Sequence, residues 1–285
     1  MGGYCHSCGQ KDISDQDRRF SHLLELFATE LVSLDGKFWR TLRAMFTPGF
    51  LARAYLDGRR APYLSPVSIF LLVNALYFLF PVLTDFDLPF KDQVPGQIAV
   101  QLESLKDATP ERRQRVSSLP GQLHSRWSAA WVNARIAYEQ ANEPKFSIDD
   151  LAMRFDAKSG DISQLLIVLH VPFLALALMV MFWRSKLYFA EHFVVAMVLF
   201  ASILFAVQLI FPLASLFSVP EYLTAALRWA LALGFGAMIS NALRRIYDVP
   251  VWHSALAAFG FLVALVLINI SVYRSLQFVI VFALC

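Results

Sequence analysis

Two cysteines near the start of the sequence have the spacing of a metal-binding knuckle. Two residues separate Cys5 from Cys8, and Gly9 behind them permits the tight turn that such a knuckle requires. A structural Zn²⁺ takes four protein ligands, so His6, His22, a second copy of the chain or a preceding segment would have to complete the set. Cys5 and Cys8 are therefore either half of a zinc site or two free thiols.

A second group of candidate binding residues lies at the inner ends of two apolar stretches. Its members are Glu191, His192, Arg244, Arg245 and Tyr247, with Asp248 and His253 beside them. A charged side chain inside a membrane helix costs about 2.5 to 3.5 kcal/mol at the helix centre, so such residues are functional candidates. The group predicts either a site for an anionic headgroup, a solute or a proton, or side chains that pair to hold the helix ends.

Two further ionisable residues lie deeper in the apolar stretches. His170 and Arg228 are about seven residues inside the outer ends of two predicted spans, which is roughly 10 Å by helical rise. Pro172 is expected to loosen the helix beside His170, and Gly234 and Gly236 are expected to let their helix approach a neighbour closely. His170 is then either part of a binding site or a donor of an interhelical hydrogen bond.

No catalytic motif is present between the first two predicted spans. A Gly-rich phosphate loop, a nucleophile elbow and a paired-histidine metal signature are all absent from the sequence there. The adjacent carboxylates Asp149 and Asp150 follow Ser147, a pattern typical of a helix start. An enzymatic function has no support from these residues.

The composition indicates a membrane protein. Hydrophobic residues make up 57% of the chain and charged residues only 16%, against about 25% charged residues in a soluble domain. The net charge of +3 and the absence of a dense basic block argue against a nucleic-acid partner. Three cysteines are too few for a disulfide framework.

The apolar pattern predicts an all-α, polytopic membrane helical bundle with about five transmembrane helices. The predicted parts are a partial cysteine knuckle at 1–15, cytoplasmic amphipathic or interfacial helices at 16–63, a first span at 64–84, an extracytoplasmic helical module at 85–163, and spans two to five with a short tail at 164–285. Spans two to five are expected at Gln164–Trp183, within Leu187–Phe217, at Glu221–Leu243 and at Val251–Val272. The tail after Arg274 either extends span five or lies at the surface.

Three amphipathic segments precede the first span. They are predicted at Phe20–Leu34, Lys37–Phe46 and Phe50–Tyr55 from apolar residues three and four apart. These helices either pack on each other in the cytoplasm or lie on an anionic leaflet.

Basic residues set the expected orientation. They accumulate before the first span and in the turns after spans two and four, whereas the turn around Ser218 to Pro220 has none. We therefore expect a multi-pass protein of the inner (plasma) membrane with its N-terminus in the cytoplasm.

Short motifs follow one another along the chain in a characteristic order. They are Tyr4-Cys5-x-x-Cys8-Gly9-Gln10, Trp39-Arg40-Thr41-Leu42, Pro48-Gly49, Tyr55-Leu56-Asp57-Gly58-Arg59-Arg60, Tyr63-Leu64-Ser65-Pro66, Tyr188-Phe189-Ala190-Glu191-His192 and Ala242-Leu243-Arg244-Arg245-Ile246-Tyr247. With these motifs the chain resembles the bacterial membrane-protein family catalogued as domain of unknown function 3667. The resemblance implies a polytopic membrane fold and a zinc ribbon in which another cysteine pair precedes Cys5, and it implies no activity.

The expected function is non-enzymatic handling of a lipid headgroup, a small solute or an ion by the polar groups described above. The alternative is a membrane-anchored assembly or recruitment factor that binds a cytoplasmic partner through the cysteine knuckle and the amphipathic helices. Membrane lipids are the expected partners, together with a second copy of the chain or a cytoplasmic protein. Zinc is the one metal that the residues suggest.

Overall fold

The computed structural model describes residues 36–79, 88–102, 122–215 and 221–285, and gives the backbone alone at 126, 211–215, 221–229 and 231. Within these ranges every regular element is a helix. The helices are α1 (Gly36–Met45), α2 (Phe50–Leu56), α3 (Pro66–Leu79), α4 (Phe90–Gln93), α5 (Gly96–Ala99), α6 (Ser125–Asn142), α7 (Ile148–Leu166), α8 (His170–Met181), α9 (Phe189–Ser215), α10 (Glu221–Tyr247), α11 (Val251–Leu267) and α12 (Arg274–Leu284). The amphipathic segment predicted at Phe20–Leu34 lies outside the described residues.

Three of these helical stretches are long and apolar enough to cross a bilayer. They are Ile148–Met181 with 34 residues, Phe189–Ile210 with 22 and Val251–Leu284 with 34. The shorter Pro66–Leu79 is also apolar. The prediction of an all-helical protein is confirmed for the described residues, and three helices have the length and composition of membrane spans. The predicted number of five spans stays a prediction.

Two of the long helices are interrupted but not broken. A 3-10 turn at Ile167–Leu169 joins α7 to α8, and a π-helical segment at Ile268–Tyr273 joins α11 to α12. Pro172 explains the first irregularity, since it has no N–H to donate to the carbonyl of Val168. The tail after Arg274 is therefore helical and continuous with the helix that begins at Val251.

The start of α7 follows from its own sequence. Ser147 caps the helix, because its hydroxyl accepts the N–H of Asp150 at 3.3 Å while the Asp150 carboxylate accepts the N–H of Ser147 at 2.8 Å. This is the reciprocal capping box that satisfies donors at a helix start. The helix start predicted at this position is confirmed.

The buried residues form two hydrophobic clusters. The larger cluster joins α2, α3, α8, α9, α10 and α11, and contains Phe70, Leu174, Phe200 and Phe261. The smaller one joins α4, α5, α6, α7 and α12 around Phe90, Phe155 and Phe278, and we call it the outer module after the extracytoplasmic position predicted for it. Each 34-residue helix contributes to both clusters, so these two helices connect the membrane part to the outer module.

A polar seam joins the two long helices where the clusters meet. The Gln277 side-chain amide of α12 donates to the hydroxyls of Ser159 and Ser163 on α7, at 3.1 and 2.6 Å. The Tyr273 hydroxyl donates to the Ser163 carbonyl at 3.3 Å. All these side chains are buried, so their hydrogen bonds fix the register of α12 against α7.

Helix α2 packs between α9 and α10. It contacts both helices, and its residues Leu51, Ala52 and Ala54 are buried there. The chain enters α2 through Gly49 with φ of 74°, and a Cβ at Gly49 would lie 2.7 Å from Cα and from the carbonyl oxygen of Ala242. Only glycine combines this left-handed backbone with so close an approach to α10.

We expect Gly49→Ala to destabilise the protein strongly, because the new methyl group overlaps the backbone of α10. The left-handed conformation costs an L-residue about 1 to 2 kcal/mol, and overpacking adds about 1 to 3 kcal/mol. Gly58→Ala is the matched control, since Gly58 has φ of 81° but no atom of the described residues lies within 4 Å of its Cβ position. Thermal unfolding of both variants in detergent should show the larger loss for Gly49→Ala, and equal losses would contradict the proposed contact.

The outer module buries the ring of a histidine. His124 is 1% exposed, and within the described residues its ring nitrogens have no hydrogen-bond partner of good geometry, although a backbone group of Gln93 lies near the ring. Its ring stacks on Phe278 with centroids 4.9 Å apart. The pKa of His124 is lowered from its ordinary 6.5 to about 4, mainly by burial; the backbone of Gln93 opposes this shift, and the charge of Arg274 adds to it.

This burial predicts a pH dependence of stability. The unfolded chain takes up a proton on His124 near pH 6.5, but the folded protein does so only near pH 4, so stability falls as the pH drops between these values. A His124→Phe variant keeps the stacking and should lose this part of the pH dependence. Unfolding midpoints between pH 7 and about pH 4 test the point, and parallel curves for the two proteins would show that His124 does not titrate in this way.

Candidate functional site

The structure brings together two of the predicted binding residues at one end of the bundle. His192, in the first turn of α9, and Tyr247, at the end of α10, share a hydrogen bond of 2.7 Å between Nδ1 and the hydroxyl oxygen. On the other side of the ring, the Ser185 hydroxyl lies 3.4 Å from Nε2 of His192. His192 is 1% exposed. We call His192, Tyr247 and the rings packed on them the inner polar cluster.

Aromatic stacking holds this cluster in place. The ring of Tyr247 lies parallel to that of Phe182, with centroids 3.7 Å apart and planes at 3°. Phe182 also stacks on His253, at 5.3 Å. The rings of Phe182, Tyr247 and His253, which lie at the ends of α8, α10 and α11, thus form a stack beside the hydrogen bond between His192 and Tyr247.

Glu191 has a local structural role. Its carboxylate accepts the backbone N–H of Tyr188 at 2.7 Å, which satisfies a donor at the start of α9 and places a negative charge at the positive end of the helix dipole. This contact supports the second of the two roles predicted for Glu191, which is to hold a helix end, over a role in a binding site.

Arg244 and Arg245 face away from the inner polar cluster. Both are exposed, and they line an open cavity of about 530 Å³. The other lining residues are Pro48, Asn241 and Asp248. Two guanidinium groups and one carboxylate leave the cavity with a net positive charge, and an amide and a backbone carbonyl add neutral hydrogen-bonding groups. We call this space the arginine cavity.

The wall of the arginine cavity is held by two reciprocal arginine contacts. Arg245 donates to the carbonyl of Pro48 at 3.1 Å, and Arg53 of α2 donates to the carbonyl of Ile246 at 2.9 Å. The second contact places a cation on the last turn of α10, where carbonyl groups lack helical partners. The chain then leaves α10 through Asp248 with φ of 52°, a conformation that aspartate tolerates better than most residues.

His170 lies in a different part of the bundle. It is fully buried, its Nδ1 is 3.1 Å from the carbonyl oxygen of Ile167, and its ring lies 5.3 Å from Phe200 and 4.9 Å from Tyr273. It therefore packs between the 3-10 turn and the π-helical segment. These contacts support a structural role for His170.

The structure leaves two sequence-based predictions untested and contradicts a third. Cys5 and Cys8 lie outside the described residues, as does the side chain of Arg228, so a zinc site and a role for Arg228 stay predictions. The expected close approach at Gly234 and Gly236 is wrong for the part of the chain that the structure describes, because a Cβ at either position would meet none of its atoms within 4 Å. Within the described ranges, no group of three His, Cys, Asp or Glu side chains is placed to hold a metal ion.

Sequence reasoning missed the residues that complete the inner polar cluster. Phe182 lies near the end of predicted span two, and Ser185 lies in the turn that follows it. Nothing in the spacing of these residues links them to Tyr247 or His192. Gln277 of the polar seam was also missed. A glutamine inside an apolar stretch was the available signal, because such a side chain requires a partner.

Comparison with known proteins gives one match. The family model described as protein of unknown function (DUF3667) matches residues 35–78, which hold α1, α2 and most of α3. This confirms the family resemblance expected from the motifs. No curated protein and no solved structure matches the chain.

We expect Tyr247→Phe to destabilise the protein by about 1 to 3 kcal/mol, since the variant keeps the stacked ring but leaves a buried His192 nitrogen without its partner. Tyr188→Phe is the matched control, because Tyr188 is 79% exposed, and its loss should stay within about 0.5 kcal/mol. Unfolding midpoints of the purified proteins measure both. A loss of the same size for the two variants would show that the hydrogen bond to His192 contributes nothing.

Proposed function

We propose that this chain, a member of the DUF3667 family, is a non-enzymatic membrane protein that binds the phosphate-bearing headgroup of an anionic lipid in the arginine cavity. In this proposal the chain has five spans, its N-terminus lies in the cytoplasm, and the arginine cavity opens at the inner leaflet of the plasma membrane. One observation carries the proposal. Two exposed arginines line an open cavity at the last turn of α10, and in the proposed topology lipid phosphates are the anions nearest to them.

The chemistry of the cavity fits a phosphodiester. The planar guanidinium group presents paired N–H donors that match two phosphate oxygens, and Arg244 and Arg245 both line the cavity. Asn241 supplies an amide donor beside them. Asp248 adds an acceptor for a headgroup hydroxyl or amine. The set is therefore suited to a headgroup that combines one phosphate with a hydrogen-bond donor, as in phosphatidylglycerol.

The two arginines have different parts in this proposal. Arg245 also bonds Pro48, so it supports the wall of the cavity as well as its charge. Arg244 is the better test residue, because its exposed side chain lines the cavity and its removal leaves the contacts of α2 with α10 in place. Pro48, which also lines the cavity, belongs to the segment matched by the family model and lies two residues before α2, which packs against α10.

We expect Arg244→Gln to reduce the retention of phosphatidylglycerol about fivefold, because a basic side chain near a membrane surface contributes about 1 kcal/mol to the binding of an anionic lipid. Native mass spectrometry of the detergent-purified protein with added phosphatidylglycerol measures the lipid-bound fraction. Phosphatidylcholine should bind less to the natural protein.

Arg184→Gln is the matched control for this experiment. Arg184 is also exposed, but its guanidinium lies over the ring of Trp183 at 5.0 Å and does not line the cavity. The control should keep its phosphatidylglycerol. Equal retention by the Arg244→Gln protein, or equal binding of the two lipids by the natural protein, would remove the support for a headgroup site.

A further inference from the structure

Asp248 lines the arginine cavity without pairing to either of its arginines. The carboxylate, the two guanidinium groups, Asn241 and Pro48 all line this one space. Within the part of the chain that the structure describes, the Asp248 carboxylate forms no ion pair and accepts no hydrogen bond. The cavity therefore has a positive side and a separate negative group.

The local structure makes no use of the carboxylate. Asp248 is the first residue after α10, has φ of 52°, and donates its N–H to the carbonyl of Arg244 at 3.0 Å, which is the left-handed cap of a helix end. Glycine and asparagine are the usual residues of this cap. A negative charge there faces the negative end of the helix dipole, which favours cations. The start of α11 that follows, at Val251, has no side-chain cap. Asparagine would thus serve the helix end at least as well as aspartate.

The polar groups of the cavity follow one face of α10 and its cap. Asn241, Arg244, Arg245 and Asp248 have the spacing i, i+3, i+4 and i+7 of such a face. Asp248 lies three or four residues beyond the arginines, which is about 5 Å by helical rise. The cavity volume of about 530 Å³ is typical of small-ligand sites. A ligand along this face therefore presents one part to the guanidinium groups and another to the carboxylate.

We propose that Asp248 selects the headgroup that the arginine cavity binds. This inference rests on the proposed headgroup site and names its ligand class. The guanidinium groups of Arg244 and Arg245 bind the phosphate, and the Asp248 carboxylate accepts a hydrogen bond from a hydroxyl or amine beyond that phosphate. The ligand is then a phosphodiester with a single negative charge on its phosphate and a distal donor, such as phosphatidylglycerol.

A phosphomonoester fits the same cavity less well. It carries a charge of about −1.5 to −2 near pH 7, and it has no group beyond the phosphate that could donate to Asp248. Two arginines alone would favour this higher charge, because Coulomb attraction grows with the charge of the anion. The carboxylate reverses the preference, since it repels the extra charge and receives no hydrogen bond in return. Phosphatidic acid is therefore the lipid that Asp248 excludes.

Competition between two lipids tests this selection. The purified full chain is mixed in detergent with equal amounts of phosphatidylglycerol and phosphatidic acid that have the same acyl chains, and native mass spectrometry measures the ratio of the two bound lipids. The natural chain should retain more phosphatidylglycerol. Asp248→Asn should lower the ratio of bound phosphatidylglycerol to bound phosphatidic acid about fivefold, because it removes the charge and keeps the shape.

Asp161→Asn is the matched control, since Asp161 is exposed on α7 and does not line the cavity. Its lipid ratio should equal that of the natural chain. A natural chain that prefers phosphatidic acid, or an unchanged ratio in the Asp248→Asn protein, would overturn the inference, and loss of phosphatidylglycerol in Arg244→Gln would still support the headgroup site. If Arg244→Gln retains as much phosphatidylglycerol as the natural chain, the headgroup site fails and this inference fails with it.

A stability measurement separates selection from a structural role of Asp248. Asparagine suits the left-handed cap and places no charge at the negative end of the helix dipole. The thermal unfolding midpoint of Asp248→Asn in detergent should therefore equal or exceed that of the natural chain, while the lipid ratio falls. A lower midpoint would show that the carboxylate holds the turn between α10 and α11, and would overturn the proposal.

Discussion

The structure depends on the pairing of two 34-residue helices along their whole length. Ile148–Met181 packs against Val251–Leu284 in the membrane part through α8 and α11, and in the outer module through α7 and α12. At about 1.5 Å per residue each helix is about 51 Å long, which exceeds the roughly 30 Å of a hydrocarbon core. The excess length supports the outer module on the same two helices that are long and apolar enough to cross a membrane. The polar seam of Gln277 with Ser159 and Ser163 holds their register at the junction, because buried hydrogen-bonding groups tolerate no sliding.

The segment matched by the family model completes the opposite end of the bundle. Helix α2 separates α9 from α10, and the glycine before it allows the backbones to touch at Ala242. Motifs that are almost two hundred residues apart in sequence thereby meet, as Arg53 donates to Ile246 and Arg245 to Pro48. The same contact creates one wall of the arginine cavity. The segments around Gly49 and Ala242 thus form one structural unit.

The last turn of α10 has one polar side chain that points into the bundle and two that are exposed to solvent. Tyr247 points into the bundle and bonds His192, whereas Arg244 and Arg245 point outward and line the arginine cavity. Adjacent residues on a helix point about 100° apart, whereas residues three apart lie near the same face. Neighbours in sequence can therefore differ completely in their exposure to solvent. Burial favours the neutral hydrogen-bonded pair inside, and exposure leaves the cations available to an anion.

The sequence by itself determined the helical membrane class, the start of α7 at Ser147 and the polar candidates at the inner ends of the spans. These follow from local chemistry: apolar run length, capping geometry and the cost of charge in lipid. Only the tertiary structure decided which candidates meet. It paired His192 with Tyr247, gave Glu191 to its own helix start and turned the arginines outward, because side-chain direction depends on how whole helices pack. It also decided that the tail after Arg274 extends the last helix, whose residues Phe278 and Val281 are buried in the outer module.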